Sequence, residues 1–306
     1  MPPRGRTMEN SMNRLDGKAA VVTGGGRGIG RGHCLQLAAA GAKVIVNDMD
    51  EEVAETVVTE IRAAGGIAES GVIGIDTRAG AEALIARCID HFGHIDILVN
   101  NAGNLRDRTF LRMTDEEFDA VWTVHVKGTF WCSQAAALAM RDGRRGGSIV
   151  NTTSGAHFGS FGQTNYAAAK GAIASMTYTW ALELARFGIR VNAIGPTGTT
   201  RMSDTFAGGA SSLPYIDPTL NGALVAFLCS DLAAGVSGQI FGSGGERVSH
   251  MVQPHYGKTL IREGGWTIDA LAEHFSRQFA GEFGPLGMLG EPYPFHGGVA
   301  AERVTP

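Results

Sequence analysis

The segment from Lys18 to Gly30 reads KAAVVTGGGRGIG, a short apolar run that breaks into five glycines among its last seven residues. Ala19 to Val22 are small or β-branched and read as a buried strand, and Ile29 to Ala40 reads as the following helix, closed at Gly41. Glycine at 24, 28 and 30 permits a tight turn without Cβ clashes and lets the backbone approach a pyrophosphate. It also leaves the N–H groups of a helix start aimed at that charge. A strand ending on a phosphate cradle opens a nucleotide-binding unit, and the rest of the chain can be placed relative to it.

Outward from this unit, apolar runs alternate with helical patterns. AKVIVND, Ala42 to Asp48, reads as a second strand and is followed by an acidic helix from about Glu51 to Ala64. A weaker strand lies near Ile67 to Ile75, a helix over about Ala79 to Phe92, and a strong strand in IDILVNNAG, Ile95 to Gly103. Thr114 to Glu117 has capping-box spacing before a long helix reaching toward Met140. GGSIVNTTS (Gly146 to Ser154), a helix holding Tyr166 to Ala185, and IRVNAIGPTG (Ile189 to Gly198) complete the alternation. This pattern predicts an α/β fold: a doubly wound parallel (Rossmann) sheet with helices on both faces and ligands at the carboxyl ends of the strands.

The expected organisation is a disordered tail over 1–13, a dinucleotide-binding catalytic domain over 14–245 and a C-terminal extension with one helix over 246–306. The glycine- and proline-rich stretch Ala207 to Pro218 reads as a mobile flap.

At 306 residues with net charge −4, and with basic and acidic residues interspersed, the chain offers no stripe for nucleic acid and no polybasic membrane patch. The expected partner is a small-molecule substrate. Cys34, Cys88, Cys132 and Cys229 are far apart and never form C-x-x-C, so they read as reduced thiols in the cytoplasm. No apolar run approaches a membrane span, and the first residues lack the apolar core of a signal peptide.

Asp48 ends the second strand, 18 residues past Gly30, where an acid can hydrogen-bond an adenosine ribose and repel a 2′-phosphate. That favours NAD over NADP; the bland reading is that Asp48 only caps the next helix, work that Asp50 could share. Arg27, inside the glycine loop, either favours phosphate or covers the adenine. In Tyr166-Ala-Ala-Ala-Lys170, positions i and i+4 share a helix face, so an ammonium sits near a phenol. The free phenol has a pKa of about 10, and a neighbouring cation makes it a usable acid/base nearer neutrality. His91 and His94 have a spacing a metal could use but flank a glycine at a helix end, and read as loop histidines.

The pattern T-G-x-x-x-G-x-G, Thr23 to Gly30, together with Asn101-Ala102-Gly103 and Tyr166-x-x-x-Lys170, resembles the short-chain dehydrogenase/reductase family over roughly Arg14 to Gly245. The resemblance implies an NAD-dependent oxidoreductase interconverting a secondary alcohol and a ketone. It makes Tyr166 the acid/base, Lys170 its tuner and a ligand of the nicotinamide ribose, and Ser154 the holder of the substrate oxygen. Ser154 lies twelve residues before Tyr166, one short of the family's usual interval, so plain counting favours Thr153 and the N-x-x-S pattern favours Ser154. The resemblance also assigns to the cofactor Gly24, Arg27, Gly28, Ile29, Gly30, Asp48, Asp76 and Thr77 in GIDTR, Asn101, Ala102 and Gly103. Pro196, Thr197, Gly198 and Thr199 complete the set, with threonine where a glycine usually follows the proline. A departure falls at His125: the family's V-N-x-x-G-T/S-F reads VHVKGTF here, so a histidine replaces the asparagine of a water-linked proton relay.

NNAGNLRDRTF (Asn100 to Phe110), VHVKGTF and SFGQTNYAAAK (Ser160 to Lys170) look most like the group holding the hydroxyacyl-CoA dehydrogenase part of peroxisomal multifunctional enzyme type 2 and its bacterial relatives. So does the tail, where Thr267 could cap a helix with Ile268, Leu271, Ala272 and Phe275 at helical spacing, an apolar face expected to dock on its own subunit or a symmetry mate. The resemblance implies a 3-hydroxyacyl-CoA substrate and a homodimer or homotetramer. The alternatives are a hydroxysteroid or other cyclic-ketone dehydrogenase and, from another class, a non-catalytic NAD-binding sensor module.

Overall fold

Strand β1 is Ala19–Val22, all four residues buried, and its side chains go alternately to opposite faces: Ala20 and Val22 join one apolar cluster, Ala19 and Val21 another. A strand buried on both faces needs helices above and below it, which is the arrangement of a parallel sheet. The computed structural model describes residues 15–200, 215–284, 287 and 301–304. The tail expected over 1–13 and most of the flap expected over 207–218 lie outside them.

From β1 the chain runs through α1 (Gly28–Ala39), β2 (Lys43–Asn47), α2 (Glu51–Ala63), β3 (Ile67–Gly71), α3 (Arg78–Phe92) and β4 (Ile97–Asn100). It continues through α4 (Asp115–Trp122), α5 (Thr129–Asp142), β5 (Gly147–Thr152), α6 (Thr164–Leu184) and β6 (Ile189–Pro196). The last elements are α7 (Gly222–Cys229), β7 (Ile240–Gly244), β8 (Arg247–Met251) and α8 (Ile268–Phe279). The eight strands lie in the order β3-β2-β1-β4-β5-β6-β7-β8, all parallel except β8. Helices α1, α2 and α7 cover one face, and α3, α5 and α6 the other. Because β2 and β3 lie to one side of β1 while β4 returns to the other, the order reverses between β1 and β4. A crevice opens there at the strands' carboxyl ends.

Three expectations are corrected. The third strand stops at Gly71 rather than Ile75, because the Asn47 amide donates to the carbonyls of Gly71 (2.7 Å) and Ile73 (2.8 Å) and draws the chain off the ladder. Asp76 therefore sits in a loop, exposed, and does not end a strand. The long helix begins with the expected Thr114–Glu117 capping box, but between α4 and α5 it widens into a π-helical turn over Thr123–Gly128. The sheet does not end near Gly245: that residue, at φ +55°, turns a hairpin into β8, so the boundary drawn at 245 falls inside the sheet. Helix α8 starts as the sequence predicts, where Thr267 Oγ1 accepts from Ala270 N (3.2 Å), and none of its residues is buried by the described part of its own subunit.

Candidate active site

The glycine loop is held to the end of β4 by one hydroxyl and one amide. Thr23 Oγ1 accepts from the N–H groups of Asn101 and Ala102, both at 3.0 Å, and Asn101 Nδ2 donates to the carbonyls of Thr23 (3.0 Å) and Gly24 (2.9 Å). The turn is so tight that a β-carbon on Gly30 would lie 2.0 Å from the Gly24 carbonyl oxygen, and Gly24 itself has φ +60°. The loop from Pro196 onward closes the other side. A β-carbon on Gly28 would meet Thr200 Cγ2 at 3.1 Å, and one on Gly198 would lie 3.5 Å from Ile29. Asn221 secures this loop, donating to Thr197 O at 3.1 Å. The fold thus brings Gly24, Gly28, Ile29, Gly30, Asn101, Ala102, Thr197, Gly198 and Thr199 to one crevice.

The start of α1 fits a pyrophosphate. Helices α2, α3 and α4 carry capping side chains, from Asp50, Thr77 and Thr114; α1 has no side-chain cap and no acid in its first turn. The glycine loop runs directly into this helix start at Gly28, the setting in which helix ends bind phosphate.

Asp48 is half-buried against the same loop, its Oδ2 lying 2.8 Å from where a β-carbon of Gly26 would be. It does not cap α2. Asp50 does, accepting from Val53 N at 3.4 Å, while Asp48 Oδ1 accepts from Asp50 N at 3.2 Å. Arg27 is paired with Asp50. Thr77 Oγ1 accepts from Gly80 N (3.1 Å) as the cap of α3, so its hydroxyl serves the helix, next to the exposed Asp76.

Tyr166 and Lys170 lie one turn apart on α6, with Lys170 Nζ 5.4 Å from the centre of the phenol ring. Lys170 is 2% exposed, and its Nζ donates to the Thr152 carbonyl at 2.6 Å. Burial lowers its pKa from 10.5 to about 7, so the cation that the sequence treats as permanent titrates near neutrality. The structure separates the two hydroxyls that counting left open. Thr153 is buried and donates to Lys170 O at 2.8 Å. Ser154 is half-buried at the end of β5, and its Oγ accepts from Ala156 N at 3.2 Å.

His125 sits in the π-helical turn, a feature common at functional sites. Its ring meets that of Tyr166 edge-on, 5.3 Å between centres. Nε2 lies 3.1 Å from Asn104 N and 2.9 Å from Asn104 O, and Nδ1 is buried without a partner among the described residues. Burial first, then the charge of Lys170, lowers its pKa to about 3, against the raising effect of the Asn104 backbone contact. It is a neutral imidazole at any physiological pH.

Several residues that sequence reasoning passed over position this set. The loop after β4 is tied to the start of α6. Gln163 Nε2 donates to Asp107 Oδ2 (3.1 Å), Asn165 Nδ2 to the carbonyls of Arg106 (2.9 Å) and Glu117 (3.0 Å), and Arg108 N to Gly162 O (2.8 Å). Beneath the site Asn100 Nδ2 donates to Asn151 Oδ1 (2.9 Å), and Asn151 Nδ2 to Thr177 Oγ1 (3.0 Å). Met251 of β8 reaches Gly195, where a β-carbon would meet its Cε at 2.6 Å and the Cα of Ser154 at 3.7 Å. His33 on α1 is fully buried, with neither ring nitrogen partnered among the described residues. Nothing in the sequence distinguishes it from an ordinary apolar helix position. His94 Nε2 contacts Gly17 O and Asp96 Oδ2, both at 3.0 Å, and no group suited to a metal occurs among the described residues.

The model of the short chain dehydrogenase family matches residues 18–207. The chain is 40% identical over 286 residues to the hydroxyacyl-CoA dehydrogenase ChsB1 of Mycobacterium tuberculosis, covering 87% of this chain and 90% of that protein. It is 39% identical over 232 residues to peroxisomal multifunctional enzyme type 2 of Drosophila melanogaster, 71% of this chain but only 37% of that longer protein. Among solved structures, a short chain dehydrogenase from Mycobacterium avium superposes with TM-score 0.80 at 36% identity, covering 93% of this chain and 99% of the other.

Proposed function

The chain therefore belongs to the short chain dehydrogenase family, whose members are nicotinamide-dependent oxidoreductases, and from that premise we propose that it interconverts a 3-hydroxyacyl-CoA and its 3-oxo form with NAD. The observation that carries the chemistry is the burial of Lys170 against Thr152 O with its Nζ 5.4 Å from the Tyr166 ring. When bound, the nicotinamide takes or returns the hydride. In the oxidative direction the phenolic oxygen of Tyr166 accepts the substrate's hydroxyl proton; in the reductive direction it returns one to the carbonyl oxygen. Lys170, when protonated, favours the phenolate that does this. Ser154 orients the substrate oxygen, since Thr153 spends its hydroxyl on Lys170 O. His125, neutral and fixed to Asn104, stands where its unpartnered Nδ1 can take a hydrogen bond from water in a relay toward Lys170, or give one to it.

Asp48 at the glycine loop supports NAD, because a 2′-phosphate there would meet like charge. The thioester reading rests on likeness to ChsB1 and the multifunctional enzymes, and the site mouth suits a bulky apolar group. Phe158 and Phe161 follow Ser154 and are 54% and 85% exposed, and Phe110 and Leu111 stand 73% and 92% exposed on the loop bonded to them. The same rim would serve a hydroxysteroid, the second reading. The chain spans only part of the multifunctional enzymes, so any further activity of theirs is no part of this proposal.

Self-association as an even-numbered homo-oligomer also belongs to this reading, supported by the apolar face of α8, which the described residues leave exposed. A cytoplasmic setting is supported by four buried cysteines, all of them free thiols. No helix among the described residues is long and apolar enough to cross a membrane. The test of the function is cofactor reduction with a 3-hydroxyacyl-CoA. No turnover of any secondary alcohol by a protein that binds NAD would leave the sensor module in its place.

A further inference from the structure

Arg27 is the one basic residue of the glycine loop, and it does not point into open solvent. Its Nη2 lies 2.5 Å from Asp50 Oδ2, the two side chains 45% and 46% exposed. Asp50 holds this position because it is the N-cap of α2, its other oxygen accepting from Val53 N. The helix fixes the carboxylate, and the carboxylate in turn holds the guanidinium, while the backbone N–H of Asp50 donates to Asp48 Oδ1 at 3.2 Å. Two carboxylates therefore lie at the end of β2, one of them paired with the guanidinium, and Glu51 and Glu52 in the first turn of α2 add to the negative side.

We propose that Asp50 is a second determinant of nucleotide specificity, acting by sequestering Arg27. The proposal rests on the reading that Thr23–Gly30 cradles a dinucleotide with its adenosine ribose at Asp48. On that reading Asp48 repels a 2′-phosphate directly, while Asp50 withholds the cation of the glycine loop. An arginine freed of its carboxylate presents a fork suited to phosphate. The pair is half-exposed, so it contributes little to stability, and its effect falls on which anion Arg27 can take.

The geometry separates the two acids in a way an experiment can read. Asp50→Asn removes the charge and keeps an N-cap acceptor for Val53 N, since asparagine caps as well as aspartate. The fold and the adenosine pocket are left intact. Asp48→Ser alone leaves Arg27 paired and should gain little; Asp48→Ser with Asp50→Asn removes both obstacles and should gain more than the two singles combined.

Calorimetric titration of the full chain with adenosine 5′-monophosphate and adenosine 2′,5′-bisphosphate isolates the 2′-phosphate without turnover. The expected result is that Asp50→Asn tightens the bisphosphate about tenfold, leaves the monophosphate within about threefold, and loses the gain when Arg27→Ala is added. The gain should also fade at high salt, as an exposed charge effect must. If Asp50→Asn gains nothing, or gains as much without Arg27 as with it, while wild type still binds NAD, the sequestration of Arg27 is refuted and the cofactor reading stands. If wild type binds neither NAD nor the monophosphate, the parent reading falls and takes this one with it.

Discussion

A β-carbon on Gly103 would lie 2.3 Å from Cε1 of His125 and 2.9 Å from its Nε2. The glycine that ends Asn101-Ala102-Gly103 is thus the seat of an imidazole, and the residue that departs from the family pattern is matched by an open place beside the β4 loop. Gly103→Ala should force the ring away from Asn104 and cost about 1–3 kcal/mol, as overpacking usually does. His125→Asn shortens the side chain, so Gly103→Ala placed on top of it should cost much less, a coupling of about 1 kcal/mol or more. Urea unfolding of the four proteins measures this, and strict additivity would contradict the packing described.

The doubly wound sheet was legible because its strands are short apolar runs bounded by glycine and polar turns, and because the Tyr166–Lys170 spacing needs only helical periodicity. The π-helical turn was not legible: VHVKGTF has the composition of ordinary helix, and the extra residue per turn appears only when His125 packs on Gly103 and Tyr166. Asp76 was misplaced because the amide of Asn47, a residue of another strand, ends β3 early. The bond from Thr153 Oγ1 to Lys170 O, which supports the proposal of Ser154 for the substrate oxygen, is a contact that counting along the chain cannot see. The segments NLRDRTF and SFGQTN stood out as separate wording, while their hydrogen bonding to each other, Asp107 with Gln163 and Arg106 O with Asn165, is a long-range fact.

Tyr166→Phe keeps the ring that packs against His125 and removes the hydroxyl. NAD affinity should stay within about threefold while kcat falls by roughly 10² or more, the scale of a lost general acid/base. Fluorescence titration and steady-state kinetics on one preparation separate the two, and an unchanged kcat would rule out Tyr166 as the proton carrier.

Lys170 links the site to stability. With its pKa lowered from 10.5 to about 7, the folded chain holds this proton less tightly than the unfolded chain does. Between about pH 7 and 10.5 the unfolded state binds more protons here, so stability rises with pH across that window, and the burial penalty is felt in full below it. Lys170→Met removes the penalty. Its stability advantage over wild type, without nucleotide, should be largest near pH 6 and shrink toward pH 10, by up to a few kcal/mol at about 1.4 kcal/mol per pKa unit. Urea midpoints at three pH values check this; a difference independent of pH would mean Lys170 does not titrate there.

Helix α8 leaves Ile268 85%, Leu271 41% and Phe275 46% exposed in the single chain. Burying side chains of this size is worth about 1.5–3 kcal/mol each, and a contiguous apolar stripe of this kind marks an interface. Sedimentation at micromolar concentration should show an even-numbered assembly, and Phe275→Glu should shift it toward smaller species with little change in the circular dichroism, because Phe275 packs only within the extension, on Phe279 and Phe283, and joins none of the sheet's apolar clusters. A wild type that sediments only as monomer would remove self-association; an assembly indifferent to Phe275→Glu would move the interface to other helices, such as α5 or α6.

Substrate class is the point at which the residues constrain least and a direct comparison tells most. On the proposed mechanism Tyr166 and Ser154 require only a secondary alcohol or ketone within reach, and the exposed apolar side chains of Phe110, Leu111, Phe158 and Phe161 suit any bulky hydrocarbon. A thioester of coenzyme A differs from a steroid in carrying phosphates, for which exposed arginines are suited partners. Arg106 is exposed on the loop that holds Phe110, and so is Arg112, whereas Arg108 is committed to Glu117 at 2.7 Å. A 3-hydroxyacyl-CoA should therefore exceed hydroxysteroids and simple secondary alcohols by at least tenfold in kcat/KM, about 1.4 kcal/mol of transition-state preference, measured by NAD reduction at equal concentrations. That preference should shrink in high salt, where phosphate contacts are screened and apolar contacts are not. If free alcohols or steroids win by the same margin, the thioester reading is wrong and the cyclic-ketone alternative takes its place.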